Sequence, residues 1–289
     1  MVGSRESRLA VVQSQSLVDH LRACGTAPAV ELVTMKTTGD RILDRTLDKV
    51  GGKGLFVKEL DAALLDGRID LAVHCLKDMP MQLEPGLAIL GCSVREDPRD
   101  ALVLRAGATE PGPGAVIGTA SLRRAIQLKK LFPDCEIRPV RGNLQTRLKK
   151  LDAGEYDALV LAAAGMNRLG ISDRISRLFE PDEIIPAAGQ GILAVQGRAG
   201  ADCPWLEGYI DAGAAVCGAC ERAFVRELDG GCTSPVCAYA TLEAERLHLR
   251  ALYWDPDTNE VRTGTAEGPA TDAEALGIDL ARRLRGEGR

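Results

Sequence analysis

Three segments of this sequence place polar or cationic side chains where an apolar run ends. Residues 69–74 lead into Cys75-Leu76-Lys77-Asp78, residues 115–118 into Thr119-Ala120-Ser121-Leu122-Arg123-Arg124, and residues 135–140 into Arg141-Gly142-Asn143, with Arg147 shortly after. In open α/β sheets, ligands bind beyond the carboxyl ends of the strands. Arginines beside a helix start combine guanidinium forks with free backbone N–H groups, which suits carboxylate or phosphate. The alternative for any single one is a solvated surface charge, the usual fate of Arg and Lys. Three coincident strand ends favour a site. Asp78 reads either as a carboxylate that stabilises a cation or shuttles a proton, or as a loop residue paired with Lys77; spacing does not separate the two. Arg99 and Asp100 are candidates for an interdomain ion pair.

Cys232 follows Gly230-Gly231 and precedes Thr233-Ser234-Pro235. Glycines let a backbone present a thiol at a loop tip, although spacing alone favours a structural thiol. The nine cysteines are scattered and odd in number, and the amino terminus shows no apolar signal region, so a reducing cytoplasm is expected rather than a disulfide framework. Cys217-Gly-Ala-Cys220 is the one CxxC pair; without a second pair it reads as ordinary thiols, and no metal is expected. His74 sits inside an apolar run and reads as a satisfied core histidine. Gly51-Gly52-Lys53-Gly54 lacks the phosphate-loop frame, because Leu55 stands where that frame needs a hydroxyl.

Elements must hold these residues in place. The 289 residues are 45% hydrophobic and 27% charged, with 36 basic against 41 acidic side chains, a net of −5. That composition is ordinary for a globular protein and excludes disorder. The longest apolar stretch, residues 158–165, falls well short of the about 18 residues that a membrane span needs. A pI near 5.4 and 3% aromatic residues argue against a nucleic-acid surface. Periodicity predicts helices over 9–24, 55–66, 122–131 and from 143 to about 154, and strands over 29–36, 69–74, 115–118, 135–140 and 157–163. Residues 186–191 read as a crossover or hinge. From 211 the texture changes to one helix, a loop at Cys232, strands over 236–241, 247–254 and near Val261, and a closing helix over 272–284. Alternating helix and strand indicate an α/β fold, followed by a small α+β unit.

Several runs, in their joint order, resemble the porphobilinogen deaminase family over essentially the whole chain. They are Gly3-Ser-Arg-Glu-Ser-Arg-Leu-Ala10, Gly51-Gly-Lys-Gly-Leu-Phe-Val-Lys-Glu-Leu60, Ala72-Val-His-Cys-Leu-Lys-Asp-Met-Pro80, Arg95-Glu-Asp-Pro-Arg-Asp100, Gly118-Thr-Ala-Ser-Leu-Arg-Arg124, Arg141-Gly-Asn143 and Leu228-Asp-Gly-Gly-Cys-Thr-Ser-Pro235. The resemblance implies two periplasmic-binding-protein-like α/β lobes, each with a mixed sheet and with a cleft between them, plus a small C-terminal α+β domain. The implied domains are 1–94 with 190–208, 95–189, and 209–289. It implies a transferase that joins four porphobilinogen molecules head to tail, releasing ammonia, to give hydroxymethylbilane.

The same resemblance implies a dipyrromethane cofactor held by a thioether to Cys232, with Asp78 catalytic. Lys77, Ser121, Arg123, Arg124 and Arg147 would bind the cofactor, and Arg5, Ser7, Lys53, Arg141 and Gln190 the substrate. A cytoplasmic monomer with a small-molecule substrate and no nucleic-acid or membrane partner is expected. The chemistry is consistent, since each pyrrole carries two carboxylates and calls for several cationic partners. Loss of ammonia leaves an azafulvenium cation, which a fixed carboxylate can stabilise. Two departures stand out. Cys75 replaces a common serine, with little effect expected, and only Met1 and Val2 precede Gly3, leaving either a misassigned start or a short first strand. The rival readings are a two-lobed anion-binding protein without catalysis, which leaves Cys232 and Asp78 unexplained, and a thiol enzyme, for which no partner base is evident.

Overall fold

A computed structural model describes residues 1–25, 29–37, 57–230 and 235–287. The chain divides into two compact units, Met1–Glu96 with Ile192–Ala215, and Asp97–Gly191 with Val216–Arg289.

The first unit is built on strands β1 (Val2–Arg5), β2 (Leu32–Met35), β3 (Leu71–Cys75), β4 (Leu87–Cys92) and β10 (Leu193–Arg198), in the order β2-β1-β3-β10-β4. β1 runs parallel to β2 and β3, whereas β10 is antiparallel to both of its neighbours, so the sheet is mixed. Alternation along β3 splits its side chains between two helices. Leu71 and Val73 pack with Leu17, Val18 and Leu21 of helix α1 (Arg8–Ala23), whereas Ala72 packs with Leu60, Ala63 and Leu64 of α2 (Lys58–Leu65).

The second unit carries β5 (Asp100–Leu104), β6 (Val116–Gly118), β7 (Glu136–Arg138), β8 (Ala158–Ala162) and β9 (Arg177–Phe179), in the order β7-β6-β8-β5-β9. β6 is parallel to β7 and β8, and β5 is antiparallel to β8 and β9. Helix α3 (Leu122–Leu131) covers one face through Leu128, against Leu102, Ile117 and Val160. Helix α4 (Leu144–Asp152) covers the other through Leu148 and Leu151, joined by Met166 of α5 (Ala163–Arg168). The C-terminal part is an antiparallel sheet, β11 (Cys237–Glu243), β12 (Arg246–Trp254) and β13 (Val261–Pro269), with α6 (Ala212–Glu227) and the closing helix α7 (Ala273–Arg285). The α/β class, the two mixed sheets and the small C-terminal sheet are therefore present. Among the described residues no helix is long and apolar enough to cross a membrane.

The strands that make both sheets mixed, β5 and β10, were not predicted from periodicity, nor were β1, β4, β9 and the short α5. β5 is buried along its whole length. Such a strand shows no alternation, and its four-residue apolar run, 101–104, cannot be told from a buried helix segment by period.

Candidate functional site

In the first unit, β3 ends at Cys75 and the chain makes one 3-10 turn, Leu76–Asp78. Leu76 and Met79 are both buried at 2% exposure and bracket that turn. Backbone bonds hold it from both sides, Leu76 N–H to Ile192 O at 3.0 Å and Met79 N–H to Leu76 O at 3.2 Å. Half-buried Lys77 and exposed Asp78 are thus displayed on a pinned turn. Arg5, half-buried, closes β1, and Ser7 caps α1 without a side-chain cap bond. β1 has four residues, as many as β2, so the first strand is short but formed. Cys75 receives a hydrogen bond from Gln13 Nε2 at 3.2 Å.

His74 is buried, as expected, yet not satisfied. Its Nε2 has no hydrogen-bond partner among the described residues. Burial pulls the imidazole down to about 4, the charge of Arg5 acts the same way, and Gln196 opposes. Gln196 Nε2 donates to Asp61 at 2.9 Å, and burial raises the Asp61 carboxyl above its ordinary value.

In the second unit, β6 ends at Gly118 and Ser121 caps α3, its hydroxyl accepting the Arg124 N–H at 3.4 Å. Arg123 and Arg124 turn inward, 4% and 7% exposed, onto the fully buried Asp100 at the start of β5. Arg123 Nη1 donates to Asp100 Oδ2 at 2.7 Å and to Ile185 O at 2.6 Å. Arg124 Nη2 donates to Asp100 Oδ1 at 2.6 Å, and its Nη1 to Val160 O at 3.0 Å. Gln190, also fully buried, donates from Nε2 to Asp100 Oδ1 at 2.8 Å and to Pro98 O at 2.6 Å. Burial alone would raise the Asp100 carboxyl, but the two guanidinium charges hold it far below the usual carboxylate range. Burial likewise pulls Arg123 down, and Asp100 outweighs it. The expected pairing of Arg99 with Asp100 is therefore wrong. Arg99 binds Asp97 at 2.8 Å and Glu180 at 2.7 Å, and Asp100 belongs to the arginines of α3.

Arg141 stands half-buried where the chain turns from β7 into α4. The next residue must be glycine. Gly142 has φ +110°, and a Cβ there would meet the Thr146 side chain at 2.6 Å. That close turn lets Asn143 Oδ1 accept the Thr146 N–H at 2.9 Å as the α4 cap. Arg147 Nε donates to Gly142 O at 2.8 Å, fixing the arginine across its own loop.

The structure thus brings Arg123, Arg124 and Gln190 around Asp100, with Ser121 capping the helix that carries the two arginines, and sets Arg141 and Arg147 at the next strand end. Lys53 and Cys232 lie outside the described residues. Cys217 and Cys220 are buried in α6, and burial pushes the Cys220 thiol up to about 12, as it does that of Cys237, which makes both poor nucleophiles. Sequence reasoning missed Asp100 as a hub and also missed Glu221. Glu221, fully buried, accepts the N–H groups of Gly189 at 2.6 Å and Ala240 at 2.7 Å, tying the 186–191 crossover to β11. A lone acidic residue in a helix carries no sequence signal for such a role.

Two mixed α/β sheets, each with polar or cationic side chains at its strand ends, followed by a small antiparallel sheet, define the class of the protein. Comparison with known proteins agrees along nearly all of the chain. Residues 1–203 match the family description "Porphobilinogen deaminase, dipyromethane cofactor binding domain", and residues 215–286 match "Porphobilinogen deaminase, C-terminal domain". Porphobilinogen deaminases from Alkaliphilus oremlandii (50% identical, covering 99% of this chain and 96% of that one), Ruminiclostridium josui (48%; 98% and 97%) and Chromobacterium violaceum (49%; 98% and 93%) are similar. The chain belongs to the porphobilinogen deaminase family. Among solved structures, the periplasmic aliphatic sulphonate binding protein SsuA from Escherichia coli matches with TM-score 0.40 and 14% identity, over 79% of this chain and 70% of that one, a likeness too slight to carry an argument.

Proposed function

We propose that the protein is a hydroxymethylbilane synthase, joining four porphobilinogen molecules head to tail with release of ammonia. Membership of the family along both matched segments is the observation that supports this most strongly. A purely anion-binding role is not favoured, since the similar proteins are named as deaminases. We read the chain as three domains, 1–94 with 190–208, 95–189 and 209–289, in a cytoplasmic monomer.

A covalent dipyrromethane anchored on Cys232 fits the side chains at hand. Two arginines against one aspartate leave the buried Asp100 cluster with a formal charge of +1, and Arg124 Nε, also buried, has no hydrogen-bond partner among the described residues. Such a cluster calls for a carboxylate, and a dipyrromethane carries four. Lys77, Ser121, Arg123, Arg124 and Arg147 would hold it. When bound, it supplies the pyrrole carbon onto which the first substrate is joined. Arg5, Ser7, Lys53 and Arg141 would take the carboxylates of porphobilinogen, and Gln190 contributes by bracing Asp100 against Pro98. Asp78, exposed on its pinned turn, would accept pyrrole N–H groups, stabilise the cation left when ammonia departs, and take the proton released on coupling.

Incubation with porphobilinogen should release ammonia and yield hydroxymethylbilane. Intact mass should show a dipyrromethane adduct that is absent from Cys232→Ser. An active protein without the adduct, or with it on another cysteine, rules out the Cys232 assignment; no turnover of porphobilinogen rules out the activity.

A further inference from the structure

Arg123 and Arg124 are consecutive helix residues, and consecutive side chains on a helix diverge by about 100°. Nothing in α3 itself brings two such guanidinium groups together. Asp100 does so, one carboxylate oxygen to each, at 2.7 and 2.6 Å, while Gln190 donates to Oδ1 from the crossover at 2.8 Å. Four backbone segments, including the carbonyls of Ile185 and Val160, converge on one buried arrangement.

The matching positions of the first unit carry no such cluster. The sheet of the first unit repeats the same spatial strand order and directions, although β5 comes first in its sheet along the chain and β10 last, and the register identifies the matching positions. Asp100 opens β5 opposite Ala162, the last residue of β8; Leu193 opens β10 opposite Cys75, the last residue of β3. Counted from the helix caps Ser121 and Ser7, Arg123 and Arg124 match Leu9 and Ala10. The matching positions in the first unit are thus all apolar, Leu193 and Ala10 buried and Leu9 half-buried, and Leu193 packs with Leu17, Val18 and Leu21 of α1. Apolar replacement of a buried ion triad is commonly neutral or stabilising. A charged triad where the matching positions are apolar points to a purpose beyond packing.

We propose that Asp100 is a positioning residue of the reaction: its carboxylate splays Arg123 and Arg124 into one receptor and sets the net charge of that receptor at +1, matched to a ligand carboxylate. This rests on the reading that these arginines hold the dipyrromethane. Asp100 touches no reacting atom; it acts through the arginines.

The test uses Asp100→Glu, which keeps the charge and shifts the carboxylate by one methylene, and Asp100→Asn, which keeps the shape and removes the charge. Protein lacking the adduct is mixed with porphobilinogen, and appearance of the dipyrromethane mass is timed alongside kcat and KM of the loaded fraction. Misplacement by a bond length is expected to slow adduct formation and lower kcat/KM of the loaded Asp100→Glu by about 100-fold. A merely structural aspartate would lower yield or melting temperature and leave both rates of the folded fraction intact, and that outcome overturns the proposal. Should Asp100→Asn not accumulate, Asp100→Glu decides alone. Arg124→Leu runs in parallel. If it loads at the wild-type rate, the reading of the arginines falls and takes Asp100 with it; if it is impaired while Asp100→Glu is normal, the Asp100 inference alone falls.

Discussion

The two five-stranded sheets share one spatial order and direction of strands and distribute polarity in opposite ways. In the sheet of the first unit, the face packed on α1 is apolar at Leu193, and the α2 face carries His74 and Gln196. In the sheet of the second unit, the α3 face carries Asp100 under Arg123 and Arg124, and the positions that match His74 and Gln196 are Leu161 and Val103, both buried in the other apolar cluster. The third parallel strands also end differently. β3 leads to Lys77 and Asp78, at least partly exposed, whereas β8 leads to buried Ala164 and Gly165. One strand arrangement thus carries either polarity at each point, and on the proposed function the charge placement follows ligand chemistry. In the proposed reaction, the first sheet supplies the carboxylate that meets a cation, and the second supplies a positive receptor for carboxylates.

The largest expected effect is on Asp78. Asp78→Asn keeps the volume and removes the charge, so kcat should fall by about 10²–10⁴-fold while the adduct mass and melting temperature stay near wild type. Near-normal turnover would break the division of labour between the sheets. The next effect concerns stability. Leu193→Asp puts into the first sheet the carboxylate that the second one carries, without its arginines, and should cost about 3–5 kcal/mol in urea unfolding. The converse triple exchange, Asp100→Leu with Arg123→Leu and Arg124→Ala, should fold within about 2 kcal/mol of wild type yet gain no adduct. A triple variant that cannot fold would show that the triad is structural.

His74 gives a smaller effect with a defined sign. Its folded pKa of about 4 lies below the ordinary 6.5, so the unfolded chain binds more protons between those values. Its contribution is fully present above about pH 6.5 and is lost as pH falls towards 4, up to about 3 kcal/mol. Asp61, raised by burial, titrates with the opposite sign. The measurement is therefore the difference between wild type and His74→Leu, which takes the residue type found at the matching position of the second sheet. Urea midpoints at pH 7 and pH 4.5 should converge for the variant; an unchanged pH dependence refutes the buried neutral imidazole.

Much of this contrast was legible in the sequence where it is local. Ser121, Asn143, Gly142 and the paired arginines sit within a few residues of the strand ends they serve, and the periodicity of α3 and α4 placed them. The inserted strands were not legible, because β5 and β10 pair with residues far away in the chain and are buried, β5 throughout and β10 up to Arg198. Asp100 was misassigned for the same reason. Its neighbour Arg99 is the obvious partner in a linear reading, and its real partners, 23 and 24 residues on, meet it only once β5 enters the sheet. The segments that hold Lys53 and Cys232 carry the resemblance but lie outside the described residues.

The smallest expected effect separates the two helix caps. Ser121 and Ser7 occupy the same place in their sheets, each with extended backbone before a helix that begins at the next residue. The Ser121 hydroxyl accepts the Arg124 N–H, whereas the Ser7 hydroxyl makes no cap bond. A cap that bonds the first turn is worth about 1 kcal/mol, and at 3.4 Å the Ser121 bond is long, so Ser121→Ala should cost no more than that. Ser7→Ala should leave stability unchanged, because its oxygen satisfies no helix N–H. If Ser7 binds a substrate carboxylate, as proposed, the same change should raise KM severalfold with kcat little altered, the pattern of lost uniform binding. Thermal unfolding and steady-state kinetics on the two variants give four numbers. A stability loss at Ser7, or an unchanged KM there, would make Ser7 an ordinary cap and remove it from the substrate-binding set.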